Sequence, residues 1–154
     1  MISTPDGRPA PTVSVRTPLD LLWFDSMDGE RSTIHVRSKD SGGAYSVMES
    51  VAAPGVATPV HSHGEDELFF ILEGIVTFSI DGAVSTATPG TSVAIPAGVP
   101  HAWANRSAAS IRMLATFTPG GPEELFERIA GQPPAEVARI AASYGTRVIG
   151  PSDV

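Results

Sequence analysis

Residues 55–105 carry His61-Ser62-His63, then Glu67 four positions on, then His101 beyond a hairpin, and no other stretch limits the fold as strongly. Only 4 histidines occur in the 154 residues, and three of them lie here. Imidazole and carboxylate groups at strand-compatible spacing are the donors a transition-metal site requires. On a strand, residues two apart point to the same side, so His61 and His63 face one interior together. A bend at Gly64 would return the Glu67 carboxylate to the same point, and His101 must arrive on a separate strand folded alongside. A chain meeting these conditions is expected to build a small β-barrel around one metal ion.

The remaining sequence has the texture of such a barrel. Its 15 Gly and 14 Pro punctuate short apolar runs, the mark of many turns and short strands. Strands are expected over 19–25, 32–37, 44–51, 59–63, 67–73, 75–80, 83–87, 91–95, 101–105 and 110–118. Asp81-Gly82 is a two-residue hairpin turn, since both positions tolerate positive φ. Short strands with a turn between each indicate a closed antiparallel sandwich or barrel. After Pro119-Gly120-Gly121 the pattern changes. Pro122-Glu123-Glu124 opens a helix whose apolar side is Leu125, Phe126 and Ile129. A second helix places Val137, Ile140, Ala141 and Tyr144 at i, i+3, i+4 and i+7, with Gly145 as its stop. The expected organisation is a loose proline-rich arm (1–17), a barrel (18–118) and a two-helix extension of the same domain (119–154), packed on the barrel's outside rather than over its mouth.

A hydrophobic content of 42% suits one globular domain with a real core. The net charge of −7 argues against nucleic acid or an anionic membrane as partner. The lack of cysteine excludes a disulfide scaffold and thiolate ligands. The N-terminus lacks the pattern of a signal peptide, and the apolar run 68–72 falls far short of the roughly 18 residues a membrane span needs. A cytoplasmic protein is expected.

Two patterns then point to a family. Gly55-x5-His61-x-His63-x3-Glu67-x6-Gly74 and Gly90-x5-Pro96-x-Gly98-x2-His101-x3-Asn105 match the two cupin motifs at every defined position, within about a third of the chain. The chain thus resembles the cupin superfamily. That resemblance implies an all-β fold, a small antiparallel double-stranded β-helix (a cupin or jelly-roll barrel) with the two-helix C-terminal extension. It also implies one divalent transition metal (iron, nickel, manganese, cobalt or zinc) held by His61, His63, Glu67 and His101. The tail, through residues 117–121, Tyr144-Gly145 and Gly150-Pro151, is similar to small bacterial cupins described as quercetin-dioxygenase-like. The implied activity is a metal-dependent dioxygenase acting on a small apolar enolic or phenolic compound, with Glu67 as ligand and catalytic base. A Lewis-acid isomerase, cyclase or decarboxylase is the non-redox alternative, and a metal-dependent binding module without turnover is the third reading.

Parity assigns the other roles. Phe69 and Ile71 share the face of Glu67, and Trp103 shares that of His101. With Phe78 and Met113 they are the expected apolar substrate-binding wall, which favours a ring-bearing ligand over a sugar. Glu65 and Asp66 read as solvated loop acids, His35 as a surface residue, and Asn105 as a backbone-bonding group near the barrel rim. Tyr45, Val47 and Glu49 share one face of their strand and Met48 takes the other. Which of the two faces is inward stays open, and an inward Glu49 would be a second carboxylate near the metal. A homodimer formed through 19–24 and the helices is expected.

Overall fold

A computed structural model describes residues 4–154, so the first three residues of the expected arm lie outside the described part. The strands are β1 (Phe24–Met27), β2 (Glu30–Val36), β3 (Ser46–Ala52), β4 (Val60–Ser62), β5 (Asp66–Glu73), β6 (Val76–Ile80), β7 (Ala83–Ala87), β8 (Ser92–Ile95), β9 (His101–Ala104), β10 (Ile111–Thr118) and β11 (Arg147–Gly150). Two helices, α1 (Pro122–Ile129) and α2 (Pro134–Ser143), separate the last two strands. The strands form a six-stranded sheet, β1-β2-β3-β10-β5-β8, and a five-stranded sheet, β11-β4-β9-β6-β7, antiparallel throughout. This is a small double-stranded β-helix, a jelly roll.

Burial explains the pairing of the sheets. Along β5, Glu67, Phe69 and Ile71 turn inward while Leu68 and Phe70 face outward, so a two-residue period alone gives this strand one apolar face. Phe69 and Ile71 meet Val76, Phe78 and Trp103 of the other sheet in one core cluster. The Phe69 and Phe78 rings lie 5.2 Å apart. Asp81 and Gly82 both take positive φ, as the tight β6–β7 turn demands. Gly74 ends β5 where the chain nearly touches its neighbour. A Cβ there would stand 2.8 Å from the Ser110 carbonyl oxygen and 2.9 Å from Ile111 Cγ2.

Three segments differ from expectation. The expected strand over 19–25 is instead a 3-10 turn at Pro18–Asp20, and β1 starts only at Phe24. Pro18 fixes φ at the first position, and the Asp20 carboxylate accepts hydrogen bonds from the Thr17 N–H and hydroxyl, each at 2.7 Å. Local bonding thus wins over an apolar run that leaves Leu19 and Leu22 exposed. Second, β2 begins earlier, at Glu30.

The third difference is in the tail. Beyond the two helices the chain forms β11, which pairs with β4 in the register Arg147 to Ser62 and Val148 to His61. Side chains of α1 and α2 line the central cavity, so the helices do not sit merely on the outside of the barrel. Buried Glu123 fixes α1 by accepting from the N–H groups of Ser38 at 2.6 Å and Gly121 at 2.8 Å. Arg37 adds a two-pronged bond to Glu127.

Candidate metal centre and its cavity

Both sheets contribute to the histidine cluster. His61 on β4 stands directly opposite His101 on β9, His63 follows one residue past the end of β4, and Glu67 enters from β5 of the other sheet. The ring centres of His61 and His101 are 4.3 Å apart, and His63 lies 5.0 Å from His101. Ligating nitrogens of the three imidazoles all fall within 4.8 Å of one another, a group that could hold a metal ion. Oε2 of Glu67 sits 3.1 Å from Nε2 of His63 and 3.1 Å from Nε2 of His101. The pairing of β11 with β4 braces the strand that carries His61.

The tautomers follow from hydrogen bonding. Nδ1–H of His61 donates to the Pro59 carbonyl and Nδ1–H of His101 to the Val99 carbonyl, both at 2.8 Å. A carbonyl oxygen only accepts, so in the neutral rings each Nε2 keeps its lone pair. Nε2 of neutral His101 then meets the Glu67 carboxylate acceptor to acceptor, an arrangement that calls for a cation between them, either a proton or a metal ion. Two donors bound about 2.1 Å from one ion at a right angle stand about 3.0 Å apart. The observed 3.1 Å contacts match that spacing. The donor set therefore fits a divalent transition metal.

Charges at the cluster oppose one another. Burial pushes the Glu67 carboxyl up, but where protons rather than a metal ion fill the gap, hydrogen bonds from His101 and His63 outweigh it and hold its pKa below the ordinary value. Burial pulls His63 down, yet the Glu67 carboxylate and then Glu65 raise its pKa above the ordinary value. His61 is lowered, first by burial and then by the neighbouring His101. The carboxylate is thus kept ionised and His61 kept neutral, the forms in which each can ligate. Glu65, expected as a solvated loop acid, instead places Oε2 3.2 Å from Nδ1 of His63, although without an aligned hydrogen bond. It stands where a metal-bound histidine finds its outer partner.

A cavity of about 180 Å³ adjoins the cluster. Phe69, Trp103 and Met113 line it, whereas Ile71 and Phe78 are fully buried in the core and do not. Phe78 stands opposite Trp103 in the β6–β9 register and packs with it in the core cluster. Leu125, Phe126 and Tyr144 from the tail also face the cavity. Met48 and Ser50 line it too, which settles the facing of β3. Glu49 lies on the outer side, bound to His35 at 2.6 Å and to Arg112. His35 is accordingly half-buried and paired rather than a plain surface residue. Besides Glu67 and Glu65, the cavity wall holds a third carboxyl, Glu30. The expected strand over 32–37 starts two residues too late to include it. Carrying the alternation of Ile34 and Ser32 back two positions would have found it.

Residues 48–117 match the family profile "Cupin domain". The HTH-type transcriptional regulator PuuR of Escherichia coli (strain K12) is 34% identical over 118 residues, covering 76% of this chain and 62% of that protein. The chain therefore spans about three-fifths of the curated relatives it matches. Among solved structures, KdgF from Halomonas sp. superposes with a TM-score of 0.66 at 16% identity, over 73% of this chain and 99% of that one. The Cupin_2 domain of an XRE family transcriptional regulator from Enterobacter cloacae gives 0.52 at 20%, over 58% and 96%. At such identities these structures share the fold.

The relatives correct one expectation. The acidic balance argues against nucleic acid as a partner, yet curated relatives with a third of their matched residues in common are HTH-type regulators. Net charge describes only the surface that bears it, and the matched part is less than two-thirds of those proteins, so one part's charge does not decide what the whole binds. On membranes the structure says only that no described helix is long and apolar enough to cross one. With the jelly roll, both motifs in place and the profile match across its central strands, residues 48–117 of this chain are a cupin domain.

Proposed function

We propose that this protein is a metal-dependent cupin enzyme acting on a small, largely apolar enolic or phenolic compound, with dioxygenation as its reaction. In this reading His61, His63, Glu67 and His101 hold one divalent transition metal, and Phe69, Trp103 and Met113 grip the ring of the substrate. The observation that carries it is the meeting of three imidazoles and an ionised carboxylate at the edge of a mostly apolar cavity. A bound metal supplies Lewis acidity that favours the oxyanion form of a substrate hydroxyl. The chain's own residues do the rest. Glu67, kept ionised by its imidazole neighbours, accepts the hydroxyl proton. The aromatic wall and the two helices displace water from the reacting face. The quercetin-dioxygenase-like tail supports dioxygen as co-substrate.

Oxygen uptake by the metal-loaded protein, measured over a panel of flavonols, acidic diketones and polyketide-like phenols, tests this reading. Consumption stoichiometric with substrate loss is the expected result. Product formed equally well under strict anoxia would replace it with Lewis-acid isomerase, cyclase or decarboxylase chemistry. The 34% identity to HTH-type regulators favours one further reading, a metal-dependent sensing module. Saturable ligand binding without any product would establish it.

A further inference from the structure

The cavity has a second polar end that the metal chemistry leaves unused. Glu30 lines it with only 3% of its surface exposed. Its Oε2 accepts from the Ser26 hydroxyl at 2.9 Å, Ser26 meets Ser32 at 2.8 Å, and Ser32 meets Ser50 at 2.8 Å. Ser50 also lines the cavity. Among the described residues the Glu30 carboxyl is influenced by the hydroxyls of Ser26 and Ser50 and by no basic side chain. Glu49, one strand away and on the outer face, shows the contrast with its Arg112 and His35 partners.

Burying an acid without a cation costs stability, and an apolar side chain would close the same wall at no such cost. The register places this polar group well away from the histidines. Ser46, Phe117 and Glu67 form one row across the large sheet, whereas Glu30 is level with Ala52 and Ile111. Ser50, the member of the group nearer the histidines, lies four residues beyond Ser46, about 13 Å of strand. Burial raises the Glu30 pKa, while Ser26 and Ser50 only partly offset it. A neutral carboxyl beside a chain of rotatable hydroxyls can both donate and accept hydrogen bonds.

We propose that Glu30 and Ser50 form a hydrogen-bonding subsite within the cavity that receives a neutral oxygen group, a hydroxyl or carbonyl, on the end of the ligand remote from the metal. This inference rests on the proposed function and narrows its substrate class. The ligand is an enolic or phenolic compound with a second, uncharged oxygen function at its far end, neither an amine nor a fully apolar ring.

Two probes differ only in that feature. Flavonol has one enolic hydroxyl and a bare phenyl ring, and its analogue carries a para-hydroxyl on that ring. Affinities are measured by calorimetry under anoxia with the zinc-loaded protein. The analogue is expected to bind about tenfold more tightly, the worth of one good hydrogen bond. In Ser50→Ala and Glu30→Leu the preference falls to about twofold or less, while flavonol itself keeps its affinity. Glu30→Gln, which still donates and accepts, preserves the preference, and it decides the matter if Glu30→Leu does not fold. Equal binding of the pair by the unaltered protein, or a preference that survives Ser50→Ala and Glu30→Leu, overturns the subsite while the phenolic reading stands. Failure of both compounds to bind overturns the subsite and the phenolic reading together.

Discussion

Glu67 and Glu30 look into one cavity from opposite ends, and their environments push them in opposite directions. Glu67 and Glu30 are similarly buried, at 6% and 3% exposed, so desolvation disfavours the charge on each. At Glu67 two imidazoles overcome that penalty and the pKa falls. At Glu30 only hydroxyls are at hand and the pKa rises. Burial alone therefore does not decide whether an interior acid is charged, and its hydrogen-bond partners do. One end of the cavity is built to concentrate acceptors around a cation, and the other to remain neutral.

The largest test of this contrast removes a donor from the charged end. His101→Ala deletes an imidazole whose Nε2 faces Glu67. Metal affinity is expected to fall by more than about 100-fold, beyond what loss of an outer partner costs. The fold should survive, because the Phe69, Ile71, Val76 and Phe78 core is independent of the cluster. Elemental analysis alongside far-UV circular dichroism reads both quantities. Stoichiometric metal in a folded His101→Ala protein would overturn the assignment of His101 as a ligand.

A smaller effect is expected one layer out. Glu65→Gln removes the negative charge beside Nδ1 of His63 and leaves the three imidazoles and Glu67 in place. Metal affinity should drop by about tenfold, the lower range for an outer partner. Competition with a chelator of known strength measures it. An unchanged affinity would mean that Glu65 is the solvated acid its sequence context suggested.

How much of this was legible follows from which forces act locally. The barrel strands were readable because alternation and Gly or Pro punctuation are properties of neighbouring residues, as in β5 and the Asp81-Gly82 turn. His61, His63, Glu67 and His101 were identifiable because their spacing repeats a known motif. Asn105 likewise bonds backbone, donating to the Ala52 and Ala109 carbonyls. What stayed hidden depends on the third dimension. Whether Met48 or Glu49 faces inward is set by which neighbour offers Arg112, a residue contributed by another strand. The strand β11 has Val148 and Ile149 half-exposed, so no buried-face period announces it, and only its pairing with β4 creates it. The helices reach the cavity because Glu123 ties α1 to Ser38, a contact between residues 85 positions apart.

The smallest effect carries the most specific sign. Because the folded-state pKa of Glu30 is raised, the folded chain keeps a proton that the unfolded chain releases. Its favourable contribution is complete below the ordinary carboxyl value of 4.5 and is lost as pH rises through the higher folded value. Glu30→Gln, neutral at every pH, should therefore be more stable than the unaltered protein at neutral pH, with the gain vanishing toward pH 4.5. Glu49 titrates the other way. Burial pushes it up, but Arg112 and then His35 outweigh that and lower its pKa. Its contribution is present above 4.5 and lost as pH falls through the folded value, so Glu49→Gln should destabilise at neutral pH. Each change is expected to be about 1 kcal/mol, or about 2–4 °C in Tm for a chain of this size. Thermal unfolding of both variants between acid and neutral pH reads the signs directly. If both variants move the same way, Glu30 does not reside in the fold as a neutral acid, and its contrast with the cation-paired acids of the same sheet collapses.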